Sequence, residues 1–244
     1  LPFEHLYLLS AFICVHRSTE GRRSLRLIMD KLKLSTISKQ ELEHYVKLEE
    51  RGIENYSWLE INAVELTAAE KEQIKSIQAK LLNYPTHLMN EATIWARGIY
   101  PFLVLAERDK IQAWAEVNLQ AQYAKFEIDA IVDGVLGRCV DDVIEAPLLV
   151  VVEAKRGLDN QNPLAQLYGQ LLAGAYLNWQ EDRKEPQIIF GCYTIADIWT
   201  FIRAEVGGIE EDVPSLMVES SREYGGKWEG ETICCLLKQI VAPY

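Results

Sequence analysis

Two opposite charges stand one residue apart at the end of an apolar run, Leu148-Leu149-Val150-Val151-Val152-Glu153-Ala154-Lys155-Arg156. On an extended chain, residues two apart share a face, so Glu153 and Lys155 project together while Ala154 turns away. The preceding segment, Ala124 to Val135, alternates. Phe126, Ile128, Ala130 and Val132 point one way, and Glu127, Asp129, Ile131 and Asp133 the other. If the two segments are neighbouring strands, Asp129 and Glu153 converge within reach of one cation. Glu127 and Asp133 share the face of Asp129 and are alternatives for its role. Two carboxylates with room for water and phosphate oxygens are the usual surroundings of Mg²⁺, with Mn²⁺ a further choice. A cation so held polarises a phosphodiester and makes hydroxide available near neutral pH. An adjacent ammonium, Lys155, would orient the attacking water and offset charge in the transition state.

The elements that must position these groups follow from periodicity. The continuous Val/Leu run, opening at Pro147, reads as a strand covered on both faces of a sheet. Asn162-Pro163 supplies an N-cap and a first helical residue. The helix behind them turns Leu164, Leu167, Tyr168, Leu171, Leu172, Ala175 and Tyr176 inward. Further strands are expected over Ile111–Asn118, Gln187–Tyr193, Ile198–Val206 and Met217–Ser220, with a turn around Gly134, Gly137, Asp141 and Asp142. Helices are expected over Asn90–Glu107, interrupted by Gly98 and Pro101, and over Glu231–Val241. Before residue 86 the pattern reads as mainly helical. Apolar spacing suggests a helix over Arg23–Leu34, and capping boxes at Ser38–Glu41 and Thr67–Glu70 open two more, the first running to near Gly52. The expected fold is therefore α/β (α+β): a central mixed sheet flanked by helices over 86–244, with an N-terminal, mainly helical region over 1–85.

Composition bounds the function. At 244 residues and a net charge of −11, the chain is not a general polyanion binder. Its basic residues are uneven, however. Arg17, Arg22, Arg23, Arg26, Lys31 and Lys33 face only Glu20 and Asp30, a surplus that suits phosphates or a solvated face. No apolar stretch reaches the roughly 20 residues of a membrane helix. Five scattered cysteines form no CxxC pair, which points to a reducing cytoplasm.

Ile128-Asp129-Ala130-Ile131-Val132 followed by Leu148-Leu149-Val150-Val151-Val152-Glu153-Ala154-Lys155 resembles the PD-(D/E)XK nuclease superfamily. It is similar to the nuclease domain of type I restriction motor subunits, where an Asp-Ile-Val strand precedes a Leu-Val-Val-Ile-Glu-x-Lys strand. The resemblance covers residues 88 to 205. It implies a restriction endonuclease-like core of a helix, three strands, a helix and further strands. It also implies Asp129 and Glu153 as metal ligands and Lys155 as the catalytic lysine. Gln166 or Gln170 would fill the place of the family's helix glutamine, and Glu91 that of a glutamate on its first helix. Ile128 stands where the family often has proline, and the loop between the two strands is longer. The implied activity is magnesium-dependent hydrolysis of DNA phosphodiester bonds, with a homodimer suited to cutting both strands. The other reading is a catalytically inactive nuclease-like fold that binds nucleic acid or protein.

Overall fold

The computed structural model describes residues 29–61, 64–157 and 163–244. In chain order the elements are β1 (Asp30–Leu32), α1 (Lys39–Leu42), β2 (Lys47–Ile53), α2 (Ala68–Leu82) and α3 (Glu91–Ile94). A π-helical turn (Trp95–Ile99) leads into α4 (Tyr100–Leu105). There follow β3 (Ile111–Gln122), β4 (Phe126–Val140), β5 (Val143–Lys155), α5 (Leu164–Asp182), β6 (Gln187–Ile195), β7 (Ile198–Gly207), β8 (Ser215–Gly225) and α6 (Gly230–Val241).

The apolar run of β5 is central because both of its faces are covered. Leu148 and Val151 join a core under α5, and Leu149, Val150 and Val152 join a second core under α2, α4 and α6. Eight strands form one mixed sheet in the order β1-β4-β5-β6-β7-β8-β2, with β3 also on β4. The β3-β4-β5 meander is antiparallel, whereas β6 runs parallel to β5 after the crossover through α5. This is the expected mixed sheet flanked by helices.

One strand changes partners. β3 pairs with β4 from Arg138 to Glu127 along one edge. Along the other edge, β5 accompanies β4 over Gly134–Val140 and β1 takes over at Phe126–Ile128. Between these two neighbours, residues 129–133 of β4 have, among the described residues, a paired strand on the β3 side alone.

Several expectations are corrected. Before residue 86 the described residues include, beside helices, two strands that were not expected, β1 and β2, and both belong to the main sheet. A strand, β1, lies where the C-terminal part of the Arg23–Leu34 helix was expected. The polar helix opened by Ser38 is the four-residue α1, and β2 follows where it was to continue. β2 is exposed almost throughout and charged, as sheet edges commonly are, so it carries no alternation to read. β4 runs through Gly134 and Gly137, and the turn is confined to Asp141-Asp142, both with positive φ, as a two-residue hairpin requires. β5 accordingly begins at Val143 rather than Pro147, and β8 is far longer than Met217–Ser220. The Asn90–Glu107 helix is interrupted as expected, with Gly98 in the π turn. A Cβ on Gly98 would lie 2.7 Å from Leu81, so this glycine lets the turn close on α2. Asn162, Arg17, Arg22, Arg23 and Arg26 lie outside the described residues, as does the apolar stretch from Leu6 to Val15. No helix among the described residues is long and apolar enough to cross a membrane.

Candidate active site

The divergence of β4 from β5 builds the site. Their ladder ends at Gly134 opposite Val152. At the next step the Asp133 side chain enters the seam, and its Oδ2 accepts a 2.6 Å hydrogen bond from the Ala154 N–H. Glu153 is 1% exposed, and its Oε2 accepts from Gln170 Nε2 of α5 at 2.6 Å. Lys155 Nζ lies 2.5 Å from Glu153 Oε1 and 3.9 Å from Glu91 Oε1. The short contact pairs the Lys155 ammonium with Oε1 of Glu153, leaving Oε2 to Gln170. Glu91 opens α3, whose N-cap Asn90 accepts from Thr93 N–H. Trp95 locks this end of the helix onto β4: a Cβ on Gly134 would sit 2.4 Å from the indole, so only glycine admits the contact.

The expected residues divide. Glu153, Lys155 and Glu91 come together. Asp129 does not join them. It lies four residues beyond Asp133, roughly 13 Å along an extended strand, and pairs at the surface with Lys31 at 2.8 Å. That bond with Lys31, then one with Gln120, holds its carboxyl below the ordinary value. Asp133, the alternative on the same face, takes the place assigned to Asp129. Glu127 is farther still along β4, near Gln122 and Tyr176. Of the two glutamines, Gln170 reaches Glu153, while Gln166 stands one turn earlier on the wall of a neighbouring cleft.

Glu116 is a residue that periodicity did not single out. The pairs Ala115–Gly134 and Val117–Val132 bracket it opposite Asp133, and its φ is +54°. A non-glycine residue in that region is uncommon and marks local strain. It shares with Glu91, Asp133 and Ala154 a cleft of about 430 Å³. No spacing in the sequence signals it, because only the β3–β4 register brings it there.

The electrostatics are those of crowded acids. Burial first, then the Asp133 charge, push the Glu153 carboxyl up, against the pull of Lys155 and Gln170. Burial likewise raises Asp133; the Ala154 N–H and Lys155 oppose the shift and Glu116 adds to it. For Lys155, burial opposes the charged form, but Glu153, Glu91 and Asp133 outweigh it and the ammonium is stabilised. Among the described residues no group of three or more His, Cys, Asp or Glu is arranged to hold a metal ion. Asp133 and Glu153 still fit Mg²⁺, which is commonly held by one or two carboxylates with water and phosphate completing the shell. The mutual repulsion of the carboxylates is what a divalent cation would relieve.

No protein-family model matches the chain, and no curated protein matches it in sequence.

Proposed function

We propose that the protein is a divalent-metal-dependent nuclease of the PD-(D/E)XK kind that hydrolyses DNA phosphodiester bonds, with Asp133 in the role first read for Asp129. The observation that carries this reading is the meeting of Asp133, Glu153 and Lys155 where β4 and β5 part. The order α4-β3-β4-β5-α5-β6, with three antiparallel strands, a crossover helix and a parallel fourth strand, supports a restriction endonuclease-like core. The four described cysteines are free and buried, which suits a cytoplasmic protein.

Asp133 and Glu153 would hold Mg²⁺ or Mn²⁺, which when bound supplies Lewis-acid activation of the phosphodiester and of a water. Gln170 fixes the Glu153 carboxylate from the buried side, and the Ala154 N–H fixes Asp133, so both ligands are oriented before substrate arrives. Lys155, kept charged by three carboxylates, donates to the water or to a phosphate oxygen and offsets developing negative charge. Glu91, half-exposed beside it, accepts a proton or holds the outer side of the ammonium.

One feature favours a second reading, an inactive fold that binds DNA or protein. Lys155 closes on Glu153 in a tight ion pair on a chain of net charge −11. Incubating supercoiled plasmid and single-stranded circular DNA with the protein and Mg²⁺ or Mn²⁺ decides between them. Cutting that is lost in Glu153→Ala, Lys155→Ala and Asp133→Asn, but retained in Asp129→Asn, is the expected result. Wild type leaving both substrates intact would hand the protein to the binding reading.

A further inference from the structure

The unpartnered stretch of β4 opens onto a cleft of about 770 Å³ next to the carboxylates. β1 and the segment after it, Lys31 to Ser35, form one wall, β4 the other, and α5 closes its back. Lys31 and Lys33 stand at the far end, Gln170 at the end toward Glu153, and Asn118, Gln166 and Ile131 between them. Resting on the nuclease reading above, we infer that this cleft takes a single DNA strand, with unpaired bases, leading it along β4 to the Glu153–Lys155 end.

Three observations carry this. First, Ile131 is 68% exposed on an inner stretch of the sheet, between Asp129 and Asp133. It lines the recess beside the amides and matches the face of an unstacked base. Second, the polar groups of the recess are amides, which both donate and accept and so suit base edges. The Oε1 of the fully buried Gln170 has no hydrogen-bond partner, leaving an acceptor on this wall. Third, the cations are few and placed at one end. Lys31 is tethered there by Asp129, and Lys33 follows it. The gap over residues 129–133 spans roughly 16 Å of strand and is flanked by β1 and β5. Such a recess admits one backbone with its bases, while a duplex would rest on its rim and leave Ile131 and the amides unused. The lower charge density of a single strand also suits a protein of net charge −11. A single strand requires only one active site, so one chain suffices for cutting it.

The test is fluorescence anisotropy of one labelled oligonucleotide, as a single strand and as a blunt duplex, with Ca²⁺ in the buffer. The single strand should bind at least about tenfold more tightly. Lys33→Glu and Ile131→Glu, both at exposed positions, should each weaken it by about tenfold, a scale set by single base-stacking contacts. Equal or tighter duplex binding, or strand binding indifferent to both substitutions, overturns the inference. So does an Ile131→Glu protein whose sedimentation mass changes while its DNA binding does not, since a second copy of the chain would then be the occupant. Mg²⁺-dependent hydrolysis of bis(p-nitrophenyl) phosphate by the wild type tests the nuclease reading separately. Strand preference without that hydrolysis removes the nuclease reading alone, and hydrolysis without strand preference removes this inference alone.

Discussion

Asp133 and Glu153 are both held in a state their environment disfavours. Burial raises each carboxyl, and each feels another acid: Glu116 for Asp133, and Asp133 for Glu153. A raised carboxyl pKa means that the ionised form destabilises the fold relative to the unfolded chain. Asp133→Asn keeps an oxygen to accept from the Ala154 N–H and removes the charge. Its unfolding midpoint, followed by circular dichroism without metal, should therefore match or exceed that of wild type. If the proposed nuclease reading holds, DNA hydrolysis should meanwhile fall by roughly 100-fold or more, since a proposed metal ligand is lost. Such opposite movement is the mark of a residue kept for function at the expense of stability. Gln170 acts through Glu153. Gln170→Leu removes the donor to Oε2 while preserving bulk, and should lower activity by roughly 10- to 100-fold with a weaker apparent affinity for Mg²⁺. Recovery of activity by Gln170→Leu at saturating Mg²⁺ would separate a weakened metal ligand from a general loss of packing.

Between elements, α2 is tied to α6 through a single carboxylate. Glu70 closes the capping box with Thr67 and also pairs with Lys238. Lys238 foremost, against some burial, and the Thr67 N–H hold its carboxyl below the ordinary value of 4.5. A depressed folded pKa contributes stability that is present above 4.5 and lost as pH falls through the folded value. In urea titrations, wild type should exceed Glu70→Gln in stability at pH 7, and the difference should close toward pH 3. Thr67→Ala should cost about 1 kcal/mol at pH 7 and less toward pH 3, because the hydroxyl also donates to the Glu70 carboxylate. That cap was legible in the sequence, as were β5, α5 and α6, because long apolar periods and capping residues state themselves locally. β1 and β2 were not, since a polar edge strand is defined by the neighbour it joins. The choice of Asp133 over Asp129 was also hidden. Alternation puts both on one face, and only register separates them. Continued unbroken from Val140 opposite Val143, the ladder would set Ala130 opposite Glu153, beside Asp129. The irregularities between Leu136 and Arg138 advance it by three residues, so that Gly134 meets Val152 and Asp133 comes next to Glu153.

For the molecule as a whole, the decisive property is how little positive charge it brings to a polyanion. Its surplus of acid means that long-range attraction does not drive DNA onto it, so on the proposed reading affinity comes from a small number of contacts inside the cleft. That has a thermodynamic signature. The salt dependence of binding counts neutralised phosphates, with a slope of log Kobs against log[salt] of about −0.7 per contact on a single strand. Lys31 and Lys33 alone give about −1.4, and Lys155 brings the sum to about −2. We therefore expect the single strand to bind with a slope between about −1 and −2, and Lys33→Glu to reduce it by about 0.7. Apolar and amide contacts add affinity without adding slope, so Ile131→Glu should weaken binding chiefly through the intercept. A wild-type slope of about −5 would instead mean that Arg17, Arg22, Arg23 and Arg26 also meet phosphates.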